Sequence, residues 1–130
     1  MNERPRVLLI DDTPQIAELL TFALRDRGFD VVATGLADNV NELVAEAHAS
    51  ALVLDCTEYE MSESLFDTVR RDPKLGRLPI VIVSDTPEQA DASLRARDAT
   101  DVLLVPKPFT ASQVARALQE LLASGSPSNA

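Results

Sequence analysis

Near the middle of the chain lies the stretch Ala51-Leu52-Val53-Leu54-Asp55, in which four apolar residues lead into a carboxylate. An apolar run without polar alternation is typical of a strand buried on both faces, as in a parallel sheet. The same pattern recurs in four other short runs, at residues 6–10, 29–33, 80–83 and 102–105. The chain is therefore predicted to contain five buried strands.

A helical pattern follows each of these strands. Thr86-Pro87 has the residue types that favour an N-cap and a first helical position. Thr110 and Gln113 form the pattern of a capping box, and the third helix is predicted to begin near Ser62. Alternating strands and helices with right-handed crossovers predict an α/β fold. The specific prediction is a (βα)5 flavodoxin-like, doubly wound parallel sheet with strand order 2-1-3-4-5.

The length of 130 residues is that of one ordinary domain with a single core. Hydrophobic residues make up 45% and charged residues 25% of the chain, which is typical of a globular protein. We expect one domain at residues 1–123. Residues 124–130 have linker composition and are predicted to form a flexible tail or linker.

The formal net charge of −9 argues against nucleic-acid binding by this domain, because phosphate backbones require clustered Lys and Arg. No apolar run approaches the roughly 20 residues that span a bilayer, so no membrane association is expected. The N-terminus lacks the apolar segment of a secretory signal, and Cys56 has no second cysteine to pair with. We therefore expect a cytoplasmic protein.

Conspicuous polar residues follow four of the five predicted strands. Asp11 and Asp12 close the first strand, Asp55 the third, Ser84 the fourth, and Lys107 follows the fifth. The carboxyl ends of parallel strands meet at one edge of a sheet, where ligands bind at the switch in strand order. Strands one and three are neighbours in the predicted order. Three carboxylates are thus predicted to share one pocket.

Like charges at such short range raise one another's pKa unless positive charge offsets them. Mg²⁺ suits this donor set, because it takes carboxylate, water and phosphate oxygens. Lys107 supplies a second positive charge. A carboxylate beside Mg²⁺, a hydroxyl and an ammonium group is equipped to accept a phosphoryl group, with Asp55 attacking in line.

Together, these residues resemble the receiver domain of two-component response regulators. The resemblance rests on the acid pair Asp11-Asp12, the strand-end Asp55, the hydroxyl of Ser84 and the segment 107–109, which reads Lys-Pro-Phe. It covers residues 5–123, with every element in order. Each motif is common by itself, whereas their combination at this spacing is specific.

The resemblance implies a role for each matching residue. Asp55 corresponds to the phosphoacceptor, which takes a phosphoryl group from a phosphohistidine. Asp12 corresponds to the direct Mg²⁺ ligand, Asp11 to the acid that holds metal-bound water, and the backbone carbonyl of Thr57 completes the metal site.

Two further residues and several partners are implied in the same way. Ser84 corresponds to the switch hydroxyl, and Lys107 to the residue that pairs with the phosphoryl group. The implied partners are a sensor histidine kinase or a phosphotransfer protein, and a downstream protein target or output domain outside this chain. A homodimer is a further possibility.

Three features depart from the family pattern. The loop from Cys56 to Glu63 replaces the usual Met-Pro and glycine, Asp85 replaces a small residue, and Leu104 replaces an aromatic one. They support an alternative, in which the domain acts as a phosphorylation-independent interaction module. An enzyme of the haloacid-dehalogenase type is a weaker alternative, because Thr57 stands where its second acid is required. Apart from self-catalysed phosphotransfer, no enzymatic activity is expected.

Overall fold

The computed structural model describes residues 4–124, which form five strands and five helices in strict alternation. The strands are β1 (Arg6–Asp11), β2 (Asp30–Thr34), β3 (Ala51–Asp55), β4 (Ile80–Ser84) and β5 (Val102–Pro106). The helices are α1 (Pro14–Asp26), α2 (Val40–Ala47), α3 (Tyr59–Arg71), α4 (Pro87–Ala96) and α5 (Ala111–Ser124). Of the tail predicted at residues 124–130, only Ser124 is described, as the last residue of α5.

The strands form one parallel sheet in the order β2-β1-β3-β4-β5, which confirms the predicted fold class. β3 and β4 are buried along their whole length, because helices cover both faces of the sheet. The absence of polar alternation in the sequence of these two strands follows from that burial. None of the helices in residues 4–124 is long and apolar enough to cross a membrane.

Two apolar layers hold the helices to the sheet. Successive strand residues point to opposite faces, so β1 sends Val7 and Leu9 into one layer and Leu8 and Ile10 into the other. The first layer receives side chains from α1 and α5, including Leu24 and Leu118 in its centre. The second layer receives side chains from α2 and α3, including Val44, Phe66 and Val69.

The same alternation brings the acids together. Asp11 continues the series Val7, Leu9 along β1, and Asp55 continues the series Ala51, Val53 along β3. β1 and β3 pair in a register that places Asp11 directly opposite Asp55. The two carboxylates therefore lie side by side at the carboxyl edge of the sheet, as the sequence predicted.

The third helix begins at Tyr59, three residues before the position near Ser62 that the sequence predicted. Glu58 occupies the N-cap position with extended backbone angles, and Glu60 lies in the first turn. A carboxylate there interacts favourably with the positive end of the helix dipole, so the acidic stretch extends the helix toward β3. The loop between β3 and α3 is short as a result.

Arg70, at the end of α3, ties together the loops at the opposite edge of the sheet. Its guanidinium donates to the carbonyl oxygens of Leu78 at 2.8 Å, Thr100 at 3.0 Å and Asp101 at 3.1 Å. It also lies 5.0 Å from the centre of the Phe66 ring. One guanidinium group thus donates hydrogen bonds to several carbonyl groups in the loops before β4 and β5.

We expect Arg70→Met to lower the free energy of unfolding by about 2 kcal/mol, because partly buried carbonyl groups lose a charged donor. Arg71→Met is the matched control, since Arg71 is exposed. Urea denaturation at neutral pH measures both variants. Equal losses for the two would show that the carbonyl contacts of Arg70 contribute little.

Candidate functional site

Asp55 and Lys107 form an ion pair at the carboxyl edge of the sheet. The Lys107 ammonium Nζ lies 2.8 Å from Asp55 Oδ1, and the side chain of Asp55 is 2% exposed. Burial opposes the charge of Lys107, but the hydrogen bond and charge of Asp55 outweigh it and hold the pKa of Lys107 above its usual value. Asp85 and Asp11 add to this effect. Lys107 is therefore positively charged at neutral pH.

Asp11 is a buried carboxylate that forms no ion pair with any cation of residues 4–124. Burial, together with the neighbouring Asp55 and Asp12, raises its pKa to about 6, against a hydrogen bond from the Thr13 backbone that lowers it. That bond runs from the Thr13 N–H to Asp11 Oδ1 at 2.8 Å. The site therefore contains one carboxyl group whose ionisation is costly near neutral pH.

Asp12 is held by the loop after β3. The Thr57 N–H donates to Asp12 Oδ2 at 2.9 Å, and the Thr57 hydroxyl donates to Asp12 Oδ1 at 2.9 Å. Burial alone raises the pKa of Asp12, but these bonds and the charge of Lys107 outweigh it, so the pKa of Asp12 is lowered. Asp12 is ionised, and both its oxygens already have donors. The predicted metal-binding role of the Thr57 carbonyl remains a prediction.

Ser84 lies at the end of β4, beside β3. Its hydroxyl oxygen accepts a hydrogen bond from the Thr86 N–H at 3.0 Å, which joins it to the start of α4. Its carbonyl oxygen accepts a bond from the Lys107 N–H at 2.8 Å, which sets the backbone of Lys107 beside β4. Ser84 thus connects the backbone of Lys107 to the start of α4.

Cys56 directly follows Asp55 and is buried. Burial raises the pKa of its thiol to about 11, and the charges of Asp12 and Asp55 act in the same direction, while a bond to Ser62 opposes them. The thiol is protonated at neutral pH and packs in the second apolar layer.

The donor chemistry of the site fits a hard divalent cation. Within residues 4–124, Asp11 Oδ2 and Asp55 Oδ2 are buried carboxylate oxygens with no hydrogen-bond partner. Two such neighbouring oxygens have unmet bonding capacity of the kind that Mg²⁺ satisfies. No three acids, histidines or cysteines of the described residues converge as a ready-made metal cluster. Asp12 faces Thr57, so its participation requires a change of side-chain position.

The structure brings together most of the residues that the sequence singled out. Asp55 contacts Lys107, Asp11 lies opposite Asp55, and Ser84 bonds the Lys107 backbone. The side-chain bonds between Asp12 and Thr57 were not predicted. Threonine is an ordinary loop residue, and no sequence pattern marks a bond between residues so far apart in the chain.

We expect Asp11→Asn to stabilise the metal-free protein by about 1 kcal/mol at about pH 8, because it removes a buried charge. The raised pKa means that the folded state binds the Asp11 proton more tightly than the unfolded state. Wild-type stability therefore falls as the pH rises through about 6, and the gain from Asp11→Asn shrinks toward pH 5. Urea denaturation in EDTA at both pH values measures this.

Asp26→Asn, at an exposed position of α1, serves as the control. A gain for Asp11→Asn that is the same at both pH values would contradict the assignment of the raised pKa to Asp11.

Comparison with known proteins shows which class of protein this chain resembles. The chain is 30% identical over 106 residues to the DNA-binding response regulator MtrA of Mycolicibacterium smegmatis. The match covers 82% of this chain and 45% of that protein, so the chain spans about half the length of the curated relatives it matches. No family model matches the sequence.

Solved structures agree with this relationship. A sensor protein from Polaromonas sp. JS666 superposes with a TM-score of 0.81 and 28% identity, covering 94% of this chain and 98% of that one. The receiver domain of sensor histidine kinase PA1611 from Pseudomonas aeruginosa PAO1, with a magnesium ion in its active-site cleft, gives 0.72 and 21%, covering 93% and 99%. This chain belongs to the response regulator receiver domains of two-component systems.

Proposed function

We propose that this receiver domain accepts a phosphoryl group on Asp55 in a Mg²⁺-dependent reaction. The observation that carries the proposal is the pairing of a buried strand-end carboxylate with Lys107 at 2.8 Å, while the second oxygen of Asp55 has no partner. An unpartnered carboxylate oxygen next to a fixed ammonium group is an oriented nucleophile with a counter-charge for a phosphoryl oxygen.

In the proposed step, an oxygen of Asp55 forms a bond to phosphorus as the phosphorus–nitrogen bond of a phosphohistidine breaks. The bond's electron pair leaves with the imidazole nitrogen, and the product is an acyl phosphate. Mg²⁺, when bound, offsets charge on the phosphoryl oxygens. Asp11, Asp12 and Asp55 with the Thr57 carbonyl are the proposed metal-binding groups. Lys107 pairs with the transferred group, and the Ser84 hydroxyl turns toward it.

The proposed phosphodonor partner is a sensor histidine kinase or a phosphotransfer protein. An apolar groove beside Lys107 supports this, because it offers an exposed surface next to the nucleophile; its lining includes Ile16, Leu19, Pro108 and Phe109. Leu19 is 66% exposed, which is unusual for a large apolar side chain. A helix that packs in this groove lies next to Lys107, whose ammonium contacts Asp55.

The proposed output passes through protein contacts or through a further domain. The curated relatives are about twice as long as this chain and are DNA-binding response regulators, whereas this domain has a net charge of −9. We therefore propose no direct nucleic-acid contact by this domain. Homodimerisation stays a prediction, as does a cytoplasmic location.

The proposal is tested by incubating the protein with Mg²⁺ and acetyl phosphate, followed by intact-mass and peptide mass spectrometry. We expect one added phosphoryl group on the peptide that contains Asp55, stable in acid and labile in base. EDTA is expected to suppress it. Failure of any donor to modify the protein, together with the absence of measurable Mg²⁺ binding by calorimetry, would contradict the proposal.

A second candidate, an interaction module that works without phosphorylation, is favoured by a specific observation. Asp12 has both oxygens bonded to Thr57, Asp55 is tied to Lys107, and the free oxygen of Asp55 is shielded from solvent. A phosphodonor therefore reaches Asp55 only after local rearrangement. The absence of modification by acetyl phosphate supports this candidate.

A further inference from the structure

A polar cluster joins α3 to α4. We call it the α3–α4 clamp; its members are Tyr59, Glu63 and Asp67 of α3, Ser93 of α4, and Arg97, the C-cap residue that follows α4. Arg97 holds Asp67 through two bonds, Nε to Oδ1 at 2.8 Å and Nη2 to Oδ2 at 3.0 Å. Paired bonds of this kind are the strong form of an arginine–carboxylate contact.

Glu63 is the centre of the clamp. Its Oε2 accepts the Tyr59 hydroxyl at 3.0 Å and the Ser93 hydroxyl at 2.8 Å, and lies 3.2 Å from Arg97 Nη2. These contacts, with the Ser93 bond the largest, lower the pKa of Glu63, and the pKa of Asp67 is lowered by Arg97. Both acids are charged at neutral pH, so Arg97 joins two carboxylates of α3 at once.

α4 packs only sparsely against the apolar layer beneath it. Ala90 is the one residue of α4 that is buried, and Leu94 is half-buried against the second apolar layer. By comparison, α3 buries Leu65, Phe66 and Val69. Elements with few buried apolar contacts move at low cost in free energy. The clamp therefore adds polar contacts to the sparse apolar packing of α4.

The clamp is connected to the site at both ends. Tyr59, the first residue of α3, follows two positions after Thr57, whose N–H and hydroxyl hold Asp12. The Tyr59 hydroxyl also lies 3.5 Å from the carbonyl oxygen of Gln89 in α4. At the other end, the N–H of Thr86 donates to the Ser84 hydroxyl just before α4 begins. A change at Asp55 that moves Thr57 or Ser84 therefore acts on both sides of the clamp.

β5 offers no comparable polar connection. Leu104 is half-buried in the second apolar layer and has no hydroxyl or other polar atom to bond a switch hydroxyl. A cavity between α3 and α4 extends from Ser84 and Thr86 to Arg97, with Phe66 and Leu94 in its wall. Tyr59, Glu63, Ser93 and Arg97 of the clamp line this cavity together with Ser84.

We propose that the α3–α4 clamp couples the state of Asp55 to the position of α4, with Arg97 as the positioning residue. The inference rests on the proposed function, because it needs Asp55 to change state. The closed clamp belongs to the unmodified protein, in which Asp55 is shielded. Modification of Asp55 shifts the population toward an open clamp and a loosened α4. By linkage, a weakened clamp favours modification in return.

Hydrogen–deuterium exchange of α4 tests the coupling. The probe is beryllofluoride with Mg²⁺, a stable mimic of an acyl phosphate. In the wild-type protein, we expect it to accelerate exchange of the amides at residues 88–96. In Arg97→Met, we expect exchange to be fast without any probe, with little further change, and phosphoryl uptake from acetyl phosphate to be about tenfold faster. A merely structural Arg97 would not accelerate uptake.

Two further variants make the test independent of folding defects. Glu63→Gln keeps the side-chain volume and removes the central charge, and it is expected to act in the same direction as Arg97→Met. Arg95→Met is the control, because Arg95 is 80% exposed and pairs with Asp91 inside α4. It is expected to leave uptake and the response to the probe unchanged.

The outcomes separate the two proposals. Modification of Asp55 with no change in α4 exchange, or unchanged uptake in both Arg97→Met and Glu63→Gln, overturns the clamp while the proposed function stands. The absence of any modification of wild-type Asp55 by mass spectrometry overturns the proposed function and the clamp with it.

Discussion

Asp55→Asn is expected to abolish phosphoryl uptake from acetyl phosphate completely, while the protein stays folded. The amide has no anionic oxygen to attack phosphorus, and no other acid takes its place beside Lys107. Asp11 is buried opposite Asp55, without a cation of its own, and Asp12 is bonded to Thr57. Intact-mass spectrometry after incubation with Mg²⁺ and acetyl phosphate measures the loss.

The fold of this variant is expected to remain about as stable as wild type at about pH 8, because the repulsion between two adjacent buried carboxylates is relieved while Lys107 loses its partner. Thermal unfolding checks this and excludes misfolding as the cause of the lost uptake. Asp85→Asn is the matched control, since Asp85 is exposed, and it is expected to retain uptake. Phosphorylation of Asp55→Asn at the wild-type level would show that another residue is the acceptor.

The fold was predictable from sequence because its strands are buried on both faces. Continuous apolar runs such as 51–54 and 80–83 strongly indicate parallel strands when helices with caps separate them. The capping box at α5 is formed as predicted: the Thr110 N–H donates to Gln113 Oε1 at 2.7 Å, and the Gln113 N–H donates to the Thr110 hydroxyl at 3.3 Å. Thr86 precedes α4 as predicted, but its side chain makes no cap bond.

The apolar pattern predicts the start of α3 incorrectly, because acidic residues lie at the beginning of this helix. The first turn of α3 begins at Tyr59 and contains Glu60, so apolar periodicity predicts the helix start near Ser62, three residues too late. Helix dipole interactions with acids extend a helix without leaving an apolar signal. The β3–α3 loop, a departure from the family pattern, is therefore partly helix.

Side-chain partners were the least predictable part of the site. The strand ends and the predicted strand order indicate that Asp11 and Asp55 meet, since that depends on the backbone alone. Which donors Asp12 takes depends on side-chain rotamers of a loop, so the Thr57 bonds were not foreseen. The clamp did leave a signal, in the four-residue spacing of Tyr59, Glu63 and Asp67 along one helix face. That spacing shows a polar stripe but does not identify Arg97 as its partner.

Lys107→Met is expected to lower the free energy of unfolding by about 3 kcal/mol at about pH 8 without divalent cations, because it leaves the buried carboxyl group of Asp55 without its cationic partner. The Asp55 side chain is 2% exposed, and its second oxygen has no hydrogen bond. Methionine retains most of the apolar stem of lysine, so the loss measures charge rather than packing. Urea denaturation measures it, with Lys74→Met as the control, because Lys74 is the other lysine of the chain and is exposed.

The pH dependence of this loss follows from the neighbouring acid. Lys107 has a raised pKa and stays charged in both the folded and unfolded states from pH 5 to pH 8, so it does not titrate there. The pKa of Asp11 is about 6, so below that pH Asp11 is protonated. The negative charge that Lys107 offsets is then smaller, and losing Lys107 costs less stability. The loss is therefore expected to shrink as the pH falls from about 8 to about 5.

A double-mutant cycle separates the ion pair from other causes. If Lys107 stabilises the fold by neutralising Asp55, then Asp55→Asn in the Lys107→Met background restores most of the lost stability. A loss that is independent of pH and persists in the double variant would mean that Lys107 acts through packing.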